Sequence, residues 1–156
     1  MAYVTTSRKA GPVTRRLARS LSTLFKSRYV TRGKTGFNSV LASAESLGHT
    51  RVVFIHERHG NPYEIRAIEI GPDQTYDEVG YFVFNPVIVK RIGRLSSYLV
   101  CNKQGERFAR LFLTKSDLES LTAEGRVAVN VLGEDDFIRI SVSGEDVVVL
   151  KKVQVH

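Results

Sequence analysis

Three short segments contain residue types that carry out catalysis in other proteins. The first, Gly33-Lys34-Thr35, resembles the end of a phosphate-binding loop. Such a loop needs a glycine five residues before the Gly-Lys pair, so that backbone N–H groups can surround a phosphate. Because Arg28 occupies that position, the sequence does not predict a nucleotide-hydrolysing site.

The second segment, His56-Glu57-Arg58-His59, resembles the paired histidines of zinc proteases. Those histidines lie four residues apart on a helix, whereas these lie three apart after an apolar run that is typical of a strand. We interpret the segment as a polar cluster at a strand end. The third segment, Glu134-Asp135-Asp136, could suggest a metal-dependent nuclease, but its flanking residues favour a solvated hairpin turn.

The remaining candidate nucleophile is Cys101, the single cysteine of the chain. It follows apolar residues, so we expect a small core residue. One cysteine excludes an internal disulfide and fits a cytoplasmic protein. No Ser/His/Asp or Cys/His set is recognisable. We therefore predict no enzyme activity, no cofactor and no metal site.

The strongest chemical signal is the charge of the first 44 residues. This stretch has no Asp or Glu, while the whole 156-residue chain has a net charge of +7. Its nine basic residues are Arg8, Lys9, Arg15, Arg16, Arg19, Lys26, Arg28, Arg32 and Lys34. Such asymmetry indicates a polyanionic partner and says little about fold.

A predicted helix over residues 13–25 organises part of this charge. Its apolar positions recur at helical spacing and are Val13, Leu17, Leu21, Leu24 and Phe25. The opposite face contains Arg15, Arg19, Ser22 and Lys26. One face would pack and the other would form a basic ridge. A merely solvated helix face is the alternative interpretation.

More basic residues lie in two predicted loops rich in Gly, Ser and Thr, residues 7–11 and 31–36. Basic side chains, hydroxyls, backbone N–H groups and a helix N-terminus all suit phosphate oxygens. Tyr29, Phe37 and Tyr63 are the nearby candidates for stacking on bases. These features predict a nucleic-acid partner and do not distinguish RNA from DNA.

The composition fits one globular domain, with 42% hydrophobic and 25% charged residues. We expect no membrane span and no secretory signal. The predicted strands are 2–6, 28–30, 51–56, 63–70, 80–84 (ended by Asn85-Pro86), 98–102, 126–132, 137–142 and 147–155. The predicted helices are 13–25, 37–47 and 106–113, with a further turn from Ser116 that stops near Gly125.

Several details of these elements are specific enough to check. Helix 37–47 should turn inward Phe37, Val40, Leu41, Ala44 and Leu47. Lys103-Gln104-Gly105 should form a loop, and Ser116 to Glu119 should be a capping box. The order strand, loop, helix, strands occurs twice, with Arg16-Leu17-Ala18-Arg19 and Arg107-Phe108-Ala109-Arg110 at equivalent points. An internal duplication is therefore expected.

Four blocks of sequence resemble, in order and spacing, those of the Brix-domain family of ribosome-assembly proteins. They are Thr5-Thr6-Ser7-Arg8-Lys9, Thr14-Arg15-Arg16-Leu17-Ala18, Tyr29-Val30-Thr31-Arg32-Gly33-Lys34 and Ile55-His56-Glu57-Arg58-His59-Gly60-Asn61-Pro62. The resemblance is specific over residues 3–63 and looser beyond. It is closest to the short archaeal, single-domain Imp-like members.

The resemblance implies an α/β fold of two structurally related halves with mixed sheet, each similar to the anticodon-binding domain of class IIa aminoacyl-tRNA synthetases. The whole of residues 1–156 would be a single Brix domain, with halves of about 1–92 and 93–156. It also implies a non-catalytic factor that binds ribosomal RNA precursors and assists subunit assembly. Ribosomal or other assembly proteins are the further partners expected, and we expect a monomer.

Together, the ridge and the resemblance predict an RNA-binding surface. Its first-half residues are Ser7, Arg8, Lys9, Arg15, Arg16, Arg19, Arg32, Gly33, Lys34 and Arg58. For the block with His56, Glu57, Asn61 and Pro62, RNA contact and turn structure both remain open. The second half is acidic from Asp117 to Asp146, so its better candidates are Lys103, Arg107 and Arg110. The alternative function is a protein-interaction adaptor that does not touch RNA.

Overall fold

Nine β-strands pair into one mixed sheet within the part of the chain that the computed structural model describes, which is residues 2–94, 96–121 and 126–156. The strands are β1 (Ala2–Thr6), β2 (Arg28–Tyr29), β3 (Arg51–Arg58), β4 (Asn61–Ile70), β5 (Tyr76–Val89), β6 (Ser97–Cys101), β7 (Val127–Glu134), β8 (Phe137–Val142) and β9 (Glu145–Val155). The helices are α1 (Pro12–Leu24), α2 (Phe37–Ser46), α3 (Lys103–Ala109) and α4 (Lys115–Leu121). The predicted α/β class with a mixed sheet is confirmed.

The order of strands across the sheet is β2-β1-β3-β4-β5-β9-β8-β7-β6. In the first half β1 is parallel to β3, and β3, β4 and β5 are successively antiparallel. In the second half β6 is parallel to β7, and β7, β8 and β9 are successively antiparallel. The same pairing pattern thus occurs twice. A common origin of the halves, and their likeness to anticodon-binding domains, stay predictions.

The two halves meet at the antiparallel pair of β5 and β9. Following the strand directions across the sheet, β6 and β7 run opposite to β1 and β3. The carboxyl ends of β1 and β3 lie at one end of the sheet, which we call the first edge. The carboxyl ends of β6 and β7 lie at the opposite end, which we call the second edge. Loops that follow equivalent strands in the two halves therefore lie at opposite edges.

Helices cover both faces of the sheet. On one face α1, α3 and α4 share a single core with inward residues of the strands. Phe25 stacks on Phe112 there, with ring centroids 4.8 Å apart. On the other face α2 packs on β1, β3 and β4. Since β3 is covered on both faces, its residues Val52 to Ile55 are fully buried, as the continuous apolar run predicts.

Helix α2 buries fewer residues than its sequence pattern predicts. Val40, Leu41 and Ala44 are buried, but Phe37 is 43% and Leu47 51% exposed. Phe37 is the first residue of the helix and Leu47 its C-cap, so the two exposed residues lie at the ends of the helix. Phe37 still stacks on Phe54 with a centroid distance of 5.0 Å. Its predicted inward position, like that of Leu47, is wrong.

Two predictions about loops between the elements are also wrong. Strand β5 does not end at Asn85-Pro86, because register shifts on either side of this pair let the strand continue along β9. Lys103-Gln104-Gly105 is the first turn of α3, since the Asn102 side chain accepts a hydrogen bond from Gly105 N at 2.8 Å.

The capping box before α4 lies two residues earlier than its sequence pattern predicts. It joins Thr114 and Asp117, each of which accepts a hydrogen bond from the other's backbone N–H. The side chains of Ser116 and Glu119 are therefore not the capping pair. The predicted end of this helix near Gly125 lies outside the described residues.

Candidate nucleic-acid interface

The loop after β1 is fixed to the end of β3. Ser7 N donates to the Ile55 carbonyl oxygen at 2.9 Å, and Glu57 N donates to Ser7 Oγ at 3.2 Å. Ser7 is therefore half-buried and its hydroxyl already accepts a hydrogen bond within the protein, whereas Arg8 and Lys9 are exposed. Lys9 has a left-handed backbone with φ of 54°. The loop thus presents two cations from a backbone that is held at its base.

Glu57 caps the N-terminus of α1. Its Oε1 atom accepts hydrogen bonds from Gly11 N and from Thr14 Oγ1, both at 2.8 Å. Gly11 is the N-cap residue and has no side chain that could cap the helix itself. A carboxylate is favourable at this position because of the helix dipole. A carboxylate of the protein itself thus lies beside the helix N-terminus that was expected to bind a phosphate.

Arg32 is buried and holds the second basic loop against β1. It is 9% exposed, and it donates from Nε to the Thr35 carbonyl at 2.7 Å and from Nη1 to the Thr6 carbonyl at 3.0 Å. Its guanidinium lies 5.5 Å from the centre of the Phe54 ring. Burial, and then the charge of Arg8, lower the pKa of Arg32. Its donors are turned to the protein, which indicates a positioning role.

The rest of the second loop is open to solvent. Gly33 and Lys34 are exposed, and Gly33 has a φ of 56°, which favours glycine. A Cβ atom at Gly36 would lie 3.2 Å from Arg8 Nη2. The lack of a side chain at Gly36 therefore leaves room for Arg8, and the two loops meet there.

A groove on the first edge runs between α1 and the segment that follows β5. It has a volume of about 400 Å³ and is lined by Pro12, Arg15, Arg16, Arg19, Ser20, Arg91 and Ile92. Ser20 Oγ donates to the Lys90 carbonyl at 2.5 Å, which fixes this segment to the helix. We call it the four-arginine groove, after Arg15, Arg16, Arg19 and Arg91. None of the four guanidinium groups forms an ion pair with a described residue.

Arg91 was not among the residues predicted for this surface, although the sequence contains a signal for it. Residues 79–105 contain no Asp or Glu, as in the N-terminal stretch, and they include Lys90, Arg91 and Arg94.

Ser22 does not lie on the exposed face of α1, where the predicted ridge placed it. Ser22 is only 3% exposed and donates to the Ala18 carbonyl at 2.7 Å. Small residues at this side of α1 let the helix lie close to its neighbours, which widens its buried face.

The block at the end of β3 contains both an exposed side chain, Arg58, and a largely covered one, His56. Arg58 is exposed, and its guanidinium lies 4.3 Å from the centre of the Tyr63 ring. His56 stacks on Phe54 and lies 3.8 Å from Glu64. Burial lowers the pKa of His56, so this side chain is neutral at pH 7 and does not add a cation to the surface.

The structure separates the predicted site residues into two groups. Those of the first half lie along the first edge, around the ends of β1 and β3 and along α1. Lys103, Arg107 and Arg110 are exposed on α3, which follows β6 at the second edge. The Arg110 carbonyl there accepts a hydrogen bond from Arg51 Nη1 at 2.5 Å. The thirteen predicted residues therefore lie in two separate groups, and their role in RNA binding stays a prediction.

The catalytic candidates remain without catalytic surroundings. Burial raises the pKa of the half-buried Cys101 thiol to about 11, which disfavours the nucleophilic thiolate. Asp135 and Asp136 form the turn between β7 and β8. Across the described ranges, no group of three or more His, Cys, Asp or Glu side chains could hold a metal ion. In the same ranges no helix has the length and apolar character needed to cross a membrane.

Comparison with known protein sequences finds relatives that share one name. No family model matches the chain. A protein of Methanothermobacter thermautotrophicus named as a probable Brix domain-containing ribosomal biogenesis protein is 39% identical over 83 residues, which cover 53% of this chain and 48% of the relative. A protein of the same name from Pyrococcus abyssi is 32% identical over 92 residues, which cover 58% and 41%. The chain thus matches less than half the length of these relatives.

Two crystal structures have the same fold over nearly the whole chain. A probable ribosomal biogenesis protein from Aeropyrum pernix K1 has a TM-score of 0.67 at 20% identity and covers 97% of this chain and 94% of its own. Mil, an archaeal Imp4-like protein, has a TM-score of 0.65 at 24% identity and covers 99% of both chains. The chain is thus similar over about half its length to archaeal proteins named as Brix domain-containing ribosomal biogenesis proteins, and it has the fold of an archaeal Imp4-like protein, which confirms the resemblance seen in its sequence.

Proposed function

We propose that this protein is a non-catalytic factor of ribosome biogenesis that binds ribosomal RNA precursors through its first edge. The observation that carries the proposal is the four-arginine groove. It brings four guanidinium groups from two separate segments into one concavity without a carboxylate partner among the described residues. Relatives named as ribosomal biogenesis proteins supply the biological context.

Electrostatics favours a phosphate backbone as the ligand of this groove. Like charges held close together repel one another, so an arrangement of this kind is stabilised when an anion enters. Guanidinium groups donate pairs of hydrogen bonds to phosphate oxygens, and each neutralised phosphate releases counterions. Such contacts position an RNA without reading its sequence.

The two basic loops extend the surface beyond the groove. Arg8, Lys9 and Lys34 are exposed and are proposed to contact phosphates. Arg32 and Glu57 hold these loops and the start of α1 in place. We therefore assign to them a positioning role, and to the three exposed cations a contact role.

The second edge is proposed as a separate and weaker contact. Lys103, Arg107 and Arg110 are exposed cations on α3, but Asp135 lines a cavity together with Arg107. This acid reduces the local attraction for phosphate. We propose that the first edge provides most of the affinity for RNA.

Crosslinking in cells, followed by sequencing of the attached RNA, tests the proposal directly. The test variant combines Arg15→Glu with Arg19→Glu, because both side chains are exposed. The matched control combines Lys115→Glu with Arg126→Glu, two exposed residues of the second half, which changes the net charge equally. We expect wild-type and control proteins to recover ribosomal RNA precursor, and the groove variant to recover about tenfold less.

Two outcomes would overturn the proposal. Equal recovery of ribosomal RNA by the groove variant and the control would show that the first edge is not the interface. Crosslinks to protein without RNA, in the wild type, would favour the adaptor function instead.

A further inference from the structure

The sheet opens at the first edge between the beginning of β4 and the second part of β5. The pairing of these strands ends at Glu64 and Val83, after which β5 continues alongside β9. Continuing the same register would place Asn61 opposite Pro86 and Pro62 opposite Asn85. Because proline has no N–H group, neither pair could extend the ladder. The strands separate instead, and an open cleft of about 470 Å³ lies between them.

The walls of this cleft have the chemical groups that recognise a nucleobase. Tyr63 presents an aromatic ring, with the Arg58 guanidinium 4.3 Å from its centre. The exposed side chains of Asn61 and Asn85 stand on opposite walls. An aromatic or guanidinium plane stacks on bases, and an asparagine amide both donates to and accepts from a base edge. No Asp or Glu lines the cleft.

The cleft adjoins the phosphate-binding loops. Arg58, on its wall, pairs with Asn61 at the end of β3. The preceding residue, Glu57, is bonded to Ser7 and Gly11 at the two ends of the first basic loop. A chain whose phosphates lie along this loop therefore passes the mouth of the cleft.

We propose that the β4–β5 cleft binds an unpaired base of the RNA that the first edge holds. The base stacks on the Arg58–Tyr63 pair and forms hydrogen bonds with Asn61 or Asn85. A base inside a duplex is already stacked and paired, so the cleft selects single-stranded segments. The inference rests on the proposed function and adds the class of RNA to it.

The test uses a single-stranded 12-nucleotide RNA with one 2-aminopurine, a matched RNA that is abasic throughout, and a duplex of the same length. The cleft variants are Tyr63→Leu, which removes the ring, and Asn85→Ala, which removes the amide. The control is Tyr76→Leu, an exposed tyrosine at the other end of β5. Circular dichroism confirms that each variant is folded.

Stacking of one base on an aromatic side chain is worth about 1–3 kcal/mol, which corresponds to about fivefold to a hundredfold in Kd. We expect both cleft variants to weaken binding of the single strand by a factor in this range and to reduce the change in 2-aminopurine fluorescence. Binding of the abasic RNA and of the duplex should not change. The Tyr76→Leu control should match the wild type.

The result that overturns the inference is single-strand binding by both folded cleft variants with wild-type affinity and fluorescence. Equal wild-type affinity for the single strand and for the abasic RNA would overturn it as well. Failure of the proposed function has a different signature, because the wild-type protein would then bind none of the three RNAs.

Discussion

Glu57 Oε1 lies 2.8 Å from the backbone nitrogen of Gly11, so the end of β3 caps the start of α1. A strand and a helix that are far apart in sequence are thereby fixed to one another at the first edge. The hydrogen bond places a carboxylate beside the N-terminus of α1, and we propose that the surrounding arginines contact RNA. The position of α1, and hence of the four-arginine groove, depends on this contact.

Replacing Glu57 should separate its hydrogen-bonding role from its charge. Glu57→Ala leaves Gly11 N and Thr14 Oγ1 without their acceptor, and we expect a loss of about 1–3 kcal/mol in the free energy of unfolding. Glu57→Gln keeps an acceptor oxygen and should lose less than about 1 kcal/mol. Urea denaturation measures both. Equal losses for the two variants would show that the charge, and not the hydrogen bonds, matters.

Arg32 and Lys34 should differ although both lie in one basic loop. Arg32→Ala removes two hydrogen bonds to backbone carbonyl groups, one of them buried, and we expect a loss of about 1–3 kcal/mol in stability. Lys34→Ala removes an exposed cation and should weaken RNA binding by a few-fold with unchanged stability. Thermal unfolding and RNA titration on both variants check the assignment. An Arg32→Ala protein of wild-type stability would contradict the positioning role.

His56 should make the protein less stable in mild acid. Burial lowers the pKa of His56 in the folded state, so the unfolded chain binds a proton more readily. The stability is therefore complete above the usual histidine pKa of about 6.5 and falls as the pH decreases below it. Measuring Tm between pH 7.5 and pH 5.5 should show a decrease that His56→Gln reduces. A parallel decrease in the variant would assign the effect to other groups.

The two edges should bind RNA separately. Strand β3 has eight residues and runs from one edge to the other, a distance of about 23 Å at about 3.3 Å per residue. An RNA of about three nucleotides is shorter than this distance, so when it is held at the first edge it should not reach Arg107 and Arg110. Changing both to Glu should alter its Kd by less than about twofold in a fluorescence anisotropy titration. A tenfold loss would place one continuous site across both edges.

Much of the fold follows from local patterns that the sequence displays. The apolar run at Val52 to Ile55 predicts a strand covered on both faces, and Pro12 and Gly48 mark helix ends that the structure contains. One prediction was wrong because a contact distant in sequence decides the outcome. Strand β5 passes Asn85-Pro86 because β9 lies beside it, and no local signal indicates that partner.

The sequence predicted the positive charge of the candidate site but not how its side chains are placed. The excess of cations before residue 45 identifies the first edge, and exposed Arg15 and Arg19 lie where helical periodicity places them. Arg32 has the same sequence signal but is buried, because its acceptors are backbone carbonyl groups that sequence does not reveal. Arg91 comes to the groove only through the hydrogen bond of Ser20 with Lys90.

The salt dependence of RNA binding tests the electrostatic account of the first edge most directly. Seven exposed or half-buried cations surround the groove and loops, namely Arg8, Lys9, Arg15, Arg16, Arg19, Lys34 and Arg91. At about 0.7 to 0.9 per neutralised phosphate, log Kd should change with log salt with a slope of about 5 to 6 in magnitude. In the Arg15→Glu, Arg19→Glu variant we expect a slope lower by about 2 and much weaker binding, whereas the Lys115→Glu, Arg126→Glu control should bind like the wild type. Salt-independent binding, or the same slope in the groove variant as in the wild type, would contradict the account.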